Sequence, residues 1–103
     1  MIFIYTTFSS RKEAKKIGKE LVQKKLAVCI NVFPIDSIYS WQKKLVEDKE
    51  FAAIIKTKKA NFKKIEKFIL ENHSYTTPCI LEIPVSRVTK KYLNWLNKSI
   101  KTD

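Results

Sequence analysis

Glycine occurs once in these 103 residues, at Gly18, and histidine once, at His73. A glycine-rich phosphate loop and a nucleophile elbow both need glycine at a tight turn, and Gly18 falls inside a helical pattern, so both are excluded. No spacing among the ten carboxylates singles out an acid/base pair, and the chain reads as a protein that is not an enzyme. No run approaches the roughly 20 apolar residues of a membrane span, so no membrane partner is expected. The opening "MIFIYTTFSS" lacks a basic leader and a cleavage site, which makes the cytoplasm the expected location. There Cys29 and Cys79, the only two cysteines, are expected as reduced thiols.

What is present is apolar and basic. Hydrophobic residues make up 45% of the chain and aromatics 12%, enough for one domain over residues 1–103 with one core. The net charge of +11 comes almost wholly from lysine, with only Arg11 and Arg87 besides. Lysine doublets at 15/16, 24/25, 43/44, 58/59, 63/64 and 90/91 spread this charge over helices, strands and turns. A dedicated nucleic-acid surface clusters its charge and favours arginine. The expectation is therefore a solvated basic surface with loose, salt-sensitive attraction to polyanions and no specific nucleic-acid partner.

Periodicity gives the elements. Met1 to Thr7 is β-branched and aromatic, a strand. Ser10-Arg11-Lys12-Glu13 has capping-box spacing, and Ala14, Ile17, Gly18, Leu21 and Val22 form the apolar stripe of a helix that ends near Lys25. "LAVCINVF" is a second strand, which Pro34 should stop. "DSIYSWQKKLV" and "EFAAIIKTK" are long strands separated at "EDK" by a turn or a bulge. The helical period returns from Ala60 to Asn72, "CILEIPV" is a further strand, and Thr89 can cap a last helix carrying Tyr92, Trp95, Leu96 and Ile100. The order β-α-β-β-α-β plus a terminal helix predicts an α+β, ferredoxin-like fold.

The strands add a constraint. Ile2 and Ile4 point one way and Phe3 and Tyr5 the other, and "AVCINVF" and "AAIIK" are also apolar on both faces. Two helices on one face leave only the short final helix for the other. A symmetric oligomer would bury that face and pair the free strand edges.

The soft-ligand set is Cys29, His73 and Cys79, which suits copper(I) or zinc. In a ferredoxin-like sheet the strands bearing the two cysteines lie on opposite edges, ~14 Å apart, so within one subunit they share neither a disulfide nor a metal. A joint site would be an interface site.

"LAVCINVF", "SIYSWQ", "EDKEFAAIIKTK", "HSYTTPCILEIPV" and "YLNWL", in this order and spacing, resemble the CutA divalent-cation tolerance family over nearly the whole chain. The resemblance implies a ferredoxin-like homotrimer, related in architecture to PII-like signalling trimers, with long hairpin strands that reach neighbouring subunits. It also implies a link to tolerance of divalent metals, copper especially. Cys29, Tyr39, Trp41, Gln42, Lys56, His73, Tyr75, Pro78, Tyr92 and Trp95 stand at the family's motif positions, which gather around the subunit interfaces and their clefts. Three departures stand out. The usual His-Pro-Tyr followed by Glu-x-Pro-Glu is His73-Ser74-Tyr75-Thr76-Thr77-Pro78-Cys79, without its carboxylates; a paired aromatic is Ser40-Trp41; and a glycine is Lys43.

The expectation that follows is a homotrimer binding a metal ion or small ligand at clefts between subunits. Cys29, His73 and Cys79 are its candidate soft ligands, Lys56 a candidate anion contact, and Tyr39, Trp41, Gln42, Tyr75 and Trp95 candidate cleft residues. The alternative is a PII-like signalling or scaffold trimer that binds an anionic metabolite or a protein.

Overall fold

The computed structural model describes residues 1–100; the domain expected over 1–103 includes three residues outside these. β1 (Ile2–Phe8) alternates buried and half-buried residues along its length. That is the period-two burial of a strand whose two faces meet different surroundings.

α1 (Arg11–Gln23) begins where the capping spacing predicts, with the Glu13 amide donating to Ser10 Oγ at 3.1 Å. The reciprocal half of the box is not made. The Glu13 carboxylate instead accepts the amide and hydroxyl of Ser74, at 2.7 and 3.0 Å, and so ties the start of α1 to a distant loop. At the other end Leu26 N–H donates to Leu21 C=O and Lys25 N–H to Val22 C=O, both at 3.0 Å. This is a Schellman ending, with Lys25 at φ 59° in the left-handed position that glycine usually fills.

The largest departure from expectation is the hairpin. β2 (Cys29–Trp41) passes straight through Pro34, and β3 (Lys44–Thr57) passes straight through "EDK". Proline does not stop β2 because β2 is an edge strand, where one row of amides needs no partner. The reversal lies at Gln42 and Lys43, with φ 50° and 65°, the two left-handed residues of a type I′ hairpin turn. Lys43 replaces the glycine of the family pattern at a position where a side chain is conformationally costly. From Ile35↔Glu50 to Trp41↔Lys44 the two strands pair only with each other. They form an arm that extends the molecule to 46 Å in its long dimension.

A short 3-10 turn (Lys59–Asn61) leads into α2 (Phe62–Asn72), followed by β4 (Ile80–Pro84) and α3 (Lys90–Ser99). Thr89 occupies the N-cap of α3 but its hydroxyl makes no capping bond. The Leu26 carbonyl accepts Thr57 Oγ1 at 2.7 Å and Asn61 Nδ2 at 3.1 Å, which pins the α1–β2 connection to the end of β3.

The sheet order is β2-β3-β1-β4, antiparallel throughout, as the ferredoxin-like assignment requires. One face carries the core. Ile2, Ile4, Phe8, Ala53 and Ile55 meet Ala14, Ile17 and Leu21 of α1 and Ile65 and Ile69 of α2, each large side chain contributing about 1.5–3 kcal/mol by burial. Gly18 lets α1 lie close to β2, since a Cβ there would stand 2.7 Å from Ile30 Cγ2. α3 covers only a corner of the opposite face, where Leu96 and Ile100 pack with Val28, Met1 and Cys29. The rest stays open: Leu81 is 51% exposed, Ile83 42% and, on the arm, Trp41 64%.

Candidate cleft along the arm

The loop between α2 and β4 passes beside the base of the arm, and His73 sets its course. The backbone of His73 closes α2 by donating to Ile69 C=O at 2.8 Å, then turns extended. Its Nδ1 accepts the Tyr75 amide at 2.9 Å, so that nitrogen carries no proton. Nε2 therefore holds the hydrogen and donates it to Thr7 C=O at 2.7 Å. The ring also stacks on Phe8, with centroids 4.8 Å apart and planes 12° from parallel. Both nitrogens are engaged, and metal ligation by His73 would require breaking one of these bonds. In this arrangement His73 positions the loop.

What it positions is Tyr75. The Tyr75 hydroxyl donates to Glu50 Oε2 at 2.6 Å, and Glu50 is only 9% exposed. Burial first, then the hydrogen bond and charge of Glu50, push the Tyr75 phenol well above its ordinary 10.0. On the arm, the Tyr39 hydroxyl donates to Asp48 Oδ2 at 3.4 Å, a weaker contact. Burial, and then the charge of Glu50, also raise the Cys79 thiol above 9.0, which disfavours the thiolate at neutral pH. Thr7, Tyr39, Trp41, Asp48, Glu50, Tyr75 and Cys79 together line an open cleft of about 550 Å³. It offers two carboxylates, a thiol, two phenols and an indole wall.

The residues expected at the site fall in three places. Tyr39, Trp41, Tyr75 and Cys79 converge on this cleft, with His73 behind them. Gln42 sits in the turn at the tip of the arm. Lys56, Trp95 and Cys29 lie at the far end of the sheet. Lys56 Nζ stands 5.8 Å from the centre of the Tyr92 ring, Tyr92 packs on Trp95 at 5.4 Å, and Cys29 pairs in register with Lys56. Cys29 and Cys79 fall at opposite edges of the sheet, as the strand order implies. Among the described residues no three His, Cys, Asp or Glu side chains are grouped to hold a metal ion, so one chain alone does not fit the expected copper or zinc.

Asp48 and Glu50 were not anticipated. The family pattern places carboxylates just after His73, where this sequence has none, and "EDK" reads as an interruption. In an unbroken β3, however, Asp48 and Glu50 share one face, and the register Tyr39↔Val46, Ser37↔Asp48, Ile35↔Glu50 puts Tyr39 on the same face. That period-two alternation was the available signal.

A family model described as "CutA1 divalent ion tolerance protein" matches residues 2–99. The divalent-cation tolerance protein CutA of Archaeoglobus fulgidus is 43% identical over 99 residues, 96% of this chain and 97% of that protein. The corresponding protein of Thermotoga maritima is 40% identical, over 97% of this chain and 99% of its own. The solved structure of the Archaeoglobus fulgidus protein, described as a periplasmic divalent cation tolerance protein, superposes with a TM-score of 0.95 over 98% of this chain and all of its own.

Proposed function

The chain belongs to the CutA1 divalent ion tolerance family, and from that premise we propose that it serves divalent-cation tolerance as a homotrimer with a ligand-binding cleft at each subunit junction. The supporting observation is the arm. It projects beyond the sheet with Ile38, Tyr39, Trp41 and Leu45 exposed at 65, 41, 64 and 77%, a concentration of apolar surface that a second copy would cover. The cleft runs along one face of the arm, from Glu50 at its base to Trp41 near its tip, and is open where a neighbouring subunit would complete it.

For the ligand, Cys79 is the soft donor and Glu50, whose charge acts on it, a hard one; Asp48 lines the same cleft without completing a three-donor group in one chain. The missing donors would come from the adjoining copy, with Cys29 at the other sheet edge the first candidate. Copper(I) and zinc suit a thiolate with few partners, and a bound ion would draw the Cys79 proton off. Such a site would operate among reduced thiols, as in the cytoplasm. The alternative anionic ligand has less support, because Lys56 is packed over Tyr92 away from the cleft.

Two measurements test the proposal. Light scattering on the eluting protein should give three times the 12.1 kDa chain mass, and a monomer would overturn the junction cleft. Calorimetric titration with copper(I) and with zinc under reducing conditions should show at least tenfold weaker binding for Cys79→Ala. Equal affinity in wild type and variant would remove the metal from the cleft.

A further inference from the structure

The charge that the sequence distributes along the whole chain is sorted by the fold. Residues 10–25 and 58–72, which form α1, α2 and their flanking turns, carry twelve lysine or arginine side chains. They carry only four carboxylates, Glu13, Glu20, Glu66 and Glu71. Eight of the eleven net positive charges therefore lie on the helical layer. The strands show the reverse, with Lys44, Lys49 and Lys56 against Asp36, Glu47, Asp48, Glu50 and Glu82.

Within the layer the charge has a shape. Arg11, Lys15 and Lys19 follow one another at four-residue steps along α1, about 6 Å apart along its axis. They line a groove of about 550 Å³ with an apolar floor that includes Val22, Ile30 and Val32. Lys12 and Lys16 extend the positive wall around the helix. Lys15 and Lys19 are exposed and have no ion pair among the described residues. Like charges at this spacing repel within a helix, and an external polyanion would relieve them.

We propose that the helical layer, centred on the α1 groove, docks the phosphate backbone of a nucleic-acid duplex without regard to base sequence. Lysine supplies point charges that meet phosphates without reading bases. A row of cations beside a groove follows a charged rod better than a plane. A membrane surface fits less well, since the exposed large apolar side chains on the layer, Val22 and Leu70, sit on different helices and include no aromatic residue to insert. This surface is separate from the cleft, and its test does not depend on metal binding.

The test is fluorescence anisotropy with a scrambled duplex of about 20 base pairs, from about 25 to about 200 mM salt. With five phosphate contacts, the logarithm of the binding constant should fall against the logarithm of salt with a slope of about −4.5. Lys15→Glu/Lys19→Glu should weaken binding more than about tenfold and flatten the slope by about two units. Lys15→Gln/Lys19→Gln, which adds no carboxylate, should flatten it equally. Lys90→Glu/Lys91→Glu on α3 makes the same change in net charge away from the layer and should cost less than about threefold. Equal losses in the two charge-reversal variants would show an effect of net charge alone and overturn the proposal. So would an absence of duplex binding at the lowest salt, or capture by phosphatidylserine vesicles with no binding to the duplex.

Discussion

The two faces of the sheet are made by alternate residues of the same strands, and they end in opposite states. Beneath α1 and α2, Ile4, Phe8 and Ile55 are wholly buried. On the other face Leu81 and Ile83 remain about half exposed although they are as apolar as their neighbours. Hydrophobic content therefore does not decide which face is closed. The number of helices available does, and this chain has two for one face and a corner's worth for the other. The difference teaches that strands apolar on both sides, in a chain this short, leave an open apolar face, the one the proposed trimer would cover.

The comparison can be broken most forcefully on the closed face. Phe8→Ala should cost about 3–5 kcal/mol of unfolding free energy, read from chemical denaturation, because it empties a buried site and removes the platform on which His73 stacks. A loss below about 1 kcal/mol would mean that this face is less tightly packed than the structure shows.

Tyr75 lies at the boundary between the two faces and should give an intermediate effect. Tyr75→Phe leaves the buried Glu50 without its 2.6 Å donor and should cost about 1–3 kcal/mol near neutral pH. The folded protein holds Tyr75 neutral above its ordinary 10.0, so this stability is complete below about pH 10 and is lost as pH rises beyond it. Cys79, raised from 9.0, adds a loss of the same sign that begins lower. Cys79 is common to both proteins and cancels in the difference, so the gap between wild type and Tyr75→Phe should hold below about pH 10 and shrink above it; a constant gap in denaturation series would remove Tyr75 from the pH dependence.

The smallest effect on the chain's own fold is expected on the open face. Leu81→Lys should change that fold by less than about 0.5 kcal/mol, and its consequence should appear instead as a lower sedimentation mass on dilution. A change as large as that of Phe8→Ala, with no change in mass, would erase the distinction between the faces.

Much of this fold can be read from the sequence. The Ser10 cap, the apolar stripe of α1 and the return of helical period at Phe62 are local patterns, and local patterns survive without knowledge of neighbours. The hairpin is less legible. Pro34 usually ends a strand, and only the edge position of β2 permits it to continue. The turn at Gln42–Lys43 carries no glycine or asparagine, the residues that ordinarily announce a type I′ turn. For the cleft, Tyr39, Trp41, Tyr75 and Cys79 are visible as motif positions. Asp48 and Glu50 become visible only once β3 is known to be unbroken.

The sequence by itself determined the helices, the ferredoxin-like order of elements and the surplus of apolar strand residues, since each follows from spacing along the chain. Tertiary structure decided how those residues are used. It engaged both nitrogens of His73 in holding a loop, brought Glu50 to Tyr75 across 25 residues, and gathered lysines scattered in sequence onto one layer. The physical reason is the same in each case: hydrogen bonds and charges act through space, and only the packed chain fixes which groups are close.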